Sequence, residues 1–188
     1  MGRFRPPTRG EANMRSVSHA VCAISLSSLT LGCAIAQTTT PTSADSGSMR
    51  TERALSLRLA NQIAADAVAA CAANGHAVAA TVVDRAGVVR SVQRADRAGP
   101  HTIEASRLKA YTSASARNTT LAMMETAQKN PGAANLVHIP GFLLLGGGVP
   151  IKVGDDVVGA IGVGGAPGGH LDDQCATAAI DRSKGELK

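Results

Sequence analysis

Tryptophan is absent from the 188 residues, and the aromatic complement is one tyrosine and two phenylalanines. Phe4 sits near the start, so the remainder of the chain holds only Tyr111 and Phe142. Base-binding surfaces combine stacking aromatics with a basic stripe. Neither is present, which excludes nucleic acid as the expected partner. Beyond the N-terminal region, long apolar runs are also missing. The longest, near 141–151 and 157–167, are broken by glycine and proline, and a membrane span needs about 18 uninterrupted apolar residues.

Several catalytic signatures are absent as well. There is no Gly-x-Ser-x-Gly elbow, no Cys-x-x-Cys and no His-Glu-x-x-His, so the usual signals for a hydrolase, a dithiol redox pair and a zinc protease are lost. The segment GAIGVGGAPGGH (159–170) is glycine-rich, but no Gly-Lys-Ser/Thr follows it, and Pro167 stands where a dinucleotide fingerprint needs its third glycine. Asp172 and Asp173 follow in the first turn of the next expected helix, where they offset the positive helix end that would attract a phosphate. Those glycines either let backbones pack closely or let the backbone touch a ligand.

What is present begins with an address. Met14-Arg15 precedes the apolar run AVCAISLSSLTLGCAIA, which ends in Ala34-Ile35-Ala36. This pattern is that of a secretory signal peptide with its natural start at Met14 and cleavage after Ala36. A lipoprotein site at Leu31-Gly32-Cys33 is the weaker reading, because Thr30 stands three residues before the cysteine. The expectation is a leader over 1–36 and an exported protein, periplasmic or extracellular, with no transmembrane segment in the mature chain. Residues 37–50, rich in Thr, Ser and Pro, read as a flexible tether that buries too little to offset its ordering entropy. A single domain over 51–188 follows, and residues 37–188, with the leader set aside, hold 15 basic against 13 acidic residues. Two of the four cysteines, Cys22 and Cys33, leave with the leader. Cys71 and Cys175 remain, as one bridge or as two buried thiols.

The spacing of Leu59, Ile63, Ala67 and Cys71 predicts a helix over Thr51–Asn74, closed by Asn74-Gly75. AVAATVVD (77–84) and VVRSVQR (88–94) read as a hairpin turned at Arg85-Ala86-Gly87. A helix is expected from Thr102 to about Arg117 and another over 120–129, ended by Asn130-Pro131-Gly132. Strands follow at FLLL (142–145), VPIKV (149–153) and VVGAIGV (157–163), then a helix from near Leu171 to Ser183. This order predicts an α+β domain with one largely antiparallel sheet of about five strands flanked by helices.

Four stretches carry a resemblance: VVDRAGVV, DRAGPHTIEASRLKAYTSAS, LLLGGGVPIKVGDDVVGAIGVGGAPGG and DDQCATAAI. Together, from about Leu55 to Ile180, they resemble the GlcG/HbpS-like family of haem-binding or haem-degrading domains, related to the C-terminal domain of PduO-type proteins. The resemblance implies a profilin-like sandwich, a homo-oligomer and haem, or a related tetrapyrrole, as cofactor. It matches the family pattern at Gly99-Pro100-His101-Thr102 and at Lys109-Ala110-Tyr111-Thr112, and implies haem contact near Thr112. His101 competes for the iron, because imidazole is a standard axial ligand and a threonine hydroxyl is not. On a helix, His101, Ala105, Leu108 and Thr112 share one face, yet about 16 Å of axial rise separates the first from the last, too far for both to hold one iron. Arg107 and Lys109 are the cations available for haem propionates. Three functions follow: an exported protein that buffers, senses or delivers haem, an enzyme that degrades haem oxidatively, or an oligomeric accessory domain for a small molecule or corrinoid.

Overall fold

The computed structural model of the protein describes residues 49–188. The expected leader (1–36) and all but the last two residues of the expected tether lie outside the described residues. Helix α1 (Leu57–Ala73) leads into strands β1 (Ala79–Asp84) and β2 (Val89–Arg94), then helices α2 (Thr102–Ala116), α3 (Thr120–Lys129) and α4 (Pro131–Ala134). A 3-10 turn (Asn135–His138) precedes β3 (Gly148–Val153), β4 (Asp156–Gly164) and α5 (Gly169–Arg182). The sheet is antiparallel throughout, in the order β2-β1-β4-β3. Among the described residues no helix is long and apolar enough to cross a membrane.

Three expectations need correction in detail. Helix α1 begins at Leu57 because the Ser56 hydroxyl accepts a hydrogen bond from the Leu59 amide and fixes the N-cap there. The segment after Asn130-Pro131-Gly132 turns helical again, because the Asn130 side chain caps the Gly132 amide and Pro131 occupies the first helical position. The sheet has four strands and not five, since 142–145 runs as a loop. Its backbone groups are satisfied by helix side chains instead of a strand partner. The Leu143 amide donates to the Thr112 hydroxyl and the Leu145 carbonyl accepts from Thr120.

Strand alternation sends side chains to two unlike faces. On one face, Ala80, Val82, Ile161 and Val163 meet Ile63, Ala64 and Ala67 of α1 and Ala176 and Ala179 of α5 in the main core. Cys71 and Cys175 are joined there, closing a 104-residue separation between α1 and α5. On the other face lies α2, whose sheet-facing residues are small or polar. An ideal Cβ at Gly162 would overlap the Ser106 carbonyl oxygen and stand 2.5 Å from the Ala110 nitrogen, so only glycine lets α2 rest backbone to backbone on β4. Close packing is thus what Gly162 provides.

Candidate functional site

Helix α2 opens at His101, whose imidazole makes no capping bond; the first turn is tied down by the Thr102 hydroxyl donating to the Gly99 carbonyl at 2.7 Å. His101 is exposed. It stands on the rim of a groove of about 240 Å³ bounded by Ala105, Lys109, Leu145, Asp172 and the loop 164–169. The helix face that begins at His101 does not stay accessible. Ala105 and Leu108 are half-buried, and Thr112 is fully buried.

Thr112 donates to the Leu108 carbonyl at 2.8 Å and accepts from the Leu143 amide at 2.8 Å. Its hydroxyl is committed to holding the 139–145 segment against α2 and faces no open space. The two competing iron ligands are therefore placed very differently, with one imidazole accessible and one hydroxyl enclosed.

The two cations also part company. Arg107 lies half-buried on the outer surface of α2 and forms two bonds to Glu104, from Nε at 2.8 Å and Nη2 at 2.7 Å. Hydrogen bonding to Arg107 lowers the Glu104 carboxyl below its ordinary range, and the same bond raises Arg107. Lys109, read from the sequence as a cation for propionates beside Arg107, is 1% exposed and points through the fold. Its Nζ donates to Asp172 Oδ2 at 2.8 Å and to the Val163 carbonyl at 2.9 Å. Because α2 and α5 lie on opposite faces of the sheet, this pair joins the two layers around the end of the β3–β4 hairpin. Gly147, at φ +117°, makes room: a Cβ there would stand 2.7 Å from the Asp172 Cβ and 3.1 Å from Nζ.

Asp172 completes the junction by accepting from the Ala166 amide at 3.0 Å, which fixes the loop before α5. Its neighbour Asp173 is half-buried, and one of its oxygens has no hydrogen-bond partner among the described residues. Burial raises the Asp173 carboxyl above its ordinary 3.8, opposed by a bond from the Gly147 backbone and by the charge of Lys109.

Asp172 is the residue that sequence reasoning missed, having been read only as a helix-end charge. A signal existed. Thr102, Ser106, Lys109 and Ser113 recur at helical spacing on α2 and are all buried, so a lysine in that small polar stripe demanded a buried carboxylate. Among the described residues, exposed His138 and half-buried His76, which stands beside Asp96 and Arg97, are apart from the groove, whereas exposed His170 adjoins it, its ring packed over the lining residue Gly168. The Asn118-Thr119-Thr120 sequon serves locally, with Thr119 capping α3 and Thr120 accepting from the Gly148 amide. Met123 is buried and borders an apolar cavity of about 360 Å³ with Phe142 and Leu136. Phe142 in turn meets Tyr111 edge-on, with ring centroids 6.4 Å apart.

Comparison with known proteins places this arrangement. The family model described as haem degrading protein HbpS-like matches residues 55–181. Protein GlcG of Escherichia coli strain K12 is 34% identical over 115 residues, which is 61% of this chain and 84% of that protein. A crystal structure of Streptomyces reticuli HbpS, a double mutant, superposes with a TM-score of 0.68 at 35% identity, covering 76% of this chain and 95% of that one. The PduOC–haem complex shares the fold, with a TM-score of 0.62 at 22% identity over 69% of this chain and 94% of its own.

Proposed function

From the membership of this chain in the HbpS-like haem-degrading protein family, we propose that it binds haem through His101 as an exported homo-oligomer that buffers, senses or delivers the group. The observation that carries the reading is the state of His101. Its imidazole is exposed, makes no capping bond and stands at a groove, as an axial ligand requires. Thr112 fits the group poorly, because both its donor and an acceptor site are engaged inside the fold. Leu108, half-buried one turn before it, offers apolar contact beneath the outer surface of α2. Arg107 supports a propionate at the surface only by sharing its charge with Glu104. The groove, at about 240 Å³, is below the 300–1,000 Å³ typical of sites that enclose a whole ligand. It suits an edge of the macrocycle held at the protein surface.

Export is supported by the signal-peptide pattern before Gln37 and by the Cys71–Cys175 bridge, since disulfides persist in oxidising compartments. Association of copies is supported by the edge strand β2, where Val89 and Val92 are 41% and 42% exposed. An unpaired strand edge bearing apolar side chains is a template for pairing.

Haem, when bound, supplies a redox-active iron. The family description favours a second reading, oxidative degradation, in which an open distal position, dioxygen and an electron source are needed beyond what His101 provides. A haemin titration of the chain from Gln37 tests both. Saturable growth of a Soret band, altered in His101→Ala and unchanged in His138→Ala, supports binding at the groove. Loss of the band on adding ascorbate, with release of iron or a linear tetrapyrrole, assigns degradation. A titration matching that of a haem-blind control protein sinks the proposal.

A further inference from the structure

Strand β2 is an edge of the sheet, and its outward side has no backbone partner among the described residues. Which of its groups face outward follows from the ladder. The Ala95 amide donates to the Val78 carbonyl at 2.9 Å, so Ala95 bonds inward to β1. Hydrogen-bonded and non-bonded residues alternate along an antiparallel strand. Gln93 and Ser91, opposite Ala80 and Val82, therefore bond inward too, and Val92 and Arg94 turn their N–H and C=O groups outward. Arg90 is the extra residue of a bulge, since Val82 faces Ser91 and Val83 faces Val89. Arg90 is exposed, as is Asp96 in the turn that ends the strand, and neither has an ion-pair partner among the described residues. The Arg94 guanidinium, by contrast, is turned back onto the Ala98 carbonyl.

From this pattern we infer that two copies of the chain join their β2 strands antiparallel about a two-fold axis through Gln93, so that the two sheets become one. The inference rests on the association of copies proposed above and gives that association its surface and register. A second copy is the occupant because the strand is complementary to itself in one register. Residues directly opposite each other point to the same side of a sheet, so the axis passes through a residue and not between two. An axis through Val92 sets Arg90 against Arg94 of the second copy, and like charges directly opposite destabilise a pair. An axis through Ser91 sets Val92 against the bulge at Arg90, where the ladder is broken, and pairs no charges. An axis through Gln93 sets Val92 against Arg94 of the second copy, each with its backbone groups outward, and brings Arg90 to Asp96 on both sides of the axis. Val92, 42% exposed, then lies along the aliphatic stem of the other Arg94.

The test uses the full chain with Cys22→Ser and Cys33→Ser, so that the Cys71–Cys175 bridge leaves no free thiol. Opposed residues of a non-hydrogen-bonded pair have Cα atoms about 4.5 Å apart, within the span of about 4.4–6.8 Å that a disulfide bridges. Gln93→Cys should therefore give a covalent dimer on mild oxidation. Ser91→Cys and Val92→Cys, each opposite itself only in a rejected register, should cross-link at least about tenfold more slowly. Sedimentation equilibrium supplies a second reading. Arg90→Asp and Asp96→Arg should each weaken dimerisation at least about tenfold, and the two together should restore it. Both positions are exposed, so neither reversal removes a core contact. A parent chain that sediments as a monomer overturns the inference and the association reading together. An associating parent that is indifferent to the single reversals, or that cross-links through Ser91→Cys or Val92→Cys in preference to Gln93→Cys, overturns the inference alone and leaves association standing on another surface or register. Both measurements are made without haemin, so the haem reading is decided separately.

Discussion

The two faces of the sheet are built on opposite principles. Under α1 and α5, branched aliphatics and alanines fill a continuous apolar core, and a disulfide ties the first helix to the last. Under α2 the buried set is mostly polar, Thr102, Ser106, Lys109, Thr112 and Ser113, with only Ala110 and Ala114 meeting Val83 and Ala160 in a small apolar cluster, and contact is made largely through hydrogen bonds and glycine-enabled backbone approach. Thr81 of β1 and Ser106 of α2 share a buried bond of 2.7 Å between hydroxyls. The apolar face supplies non-directional stability. The polar face fixes one position of α2, because each buried donor and acceptor must meet its partner or cost the fold its desolvation. That is the face against which His101 and the groove are set, so precision is concentrated where a ligand would be held.

The comparison can be broken most severely at its clamp. Replacing both Cys71 and Cys175 with alanine releases a loop of about 100 residues and should lower stability by about 4–5 kcal/mol in the chain-entropy model, read as a fall in the urea midpoint with a steeper slope, since the released chain exposes more surface when unfolded. Next is the strut between the layers. Lys109→Met leaves Asp172 buried without its cation and should cost about 3–5 kcal/mol, measured in the same denaturation experiment. A neutral result would mean that Asp172 reaches water or takes up a proton, and that the pair does not join the faces.

The apolar face was legible in the sequence because burial there follows a simple period. Leu59, Ile63, Ala67 and Cys71 announced α1, and the valine-rich hairpin announced β1 and β2 with boundaries only a residue or two away from those observed. The polar face was legible as a helix but not as a packing surface. Residues such as Ser106 and Thr112 are as common on solvated helices as on buried ones, and what buries them is the absence of side chains at Gly162 and Gly164 on another element. FLLL read as a strand for a related reason. Its composition is right for a sheet, but the partners of its backbone are hydroxyls from α2 and α3, far away in sequence. The haem reading came from resemblance, and the residues sorted themselves only once burial was known. His101 stayed outside, Lys109 and Thr112 went in.

Smaller perturbations sharpen the contrast. Thr112→Val keeps shape and removes the hydroxyl, leaving the partly buried Leu143 amide without its acceptor. A loss of about 1–3 kcal/mol is expected, with faster hydrogen exchange across 142–145 and no shift in His101 resonances. A still smaller effect lies at Asp173, beside the strut. Burial raises its carboxyl above 3.8 in the folded state, so between 3.8 and the raised value the folded protein binds more protons than the unfolded chain. Stability from this group is therefore lost as pH rises through that window, and Asp173→Asn should flatten that part of the curve of urea midpoint against pH.

The smallest expected change in stability belongs to His101→Ala. The imidazole is exposed and makes no capping bond, and α2 is already tied at its start by Thr102, so the unfolding free energy read from the urea curve should change by no more than about 0.5 kcal/mol. The same substitution should change the haemin spectrum more than any other histidine replacement. That separation is the sharpest form of the comparison, since Thr112→Val should do the reverse, unsettling the fold while leaving His101 and the haemin spectrum as they are. If instead His101→Ala destabilised the protein and left the haemin spectrum intact, the histidine would belong with the buried polar face as a structural residue, and the iron would have to be sought elsewhere on the molecule.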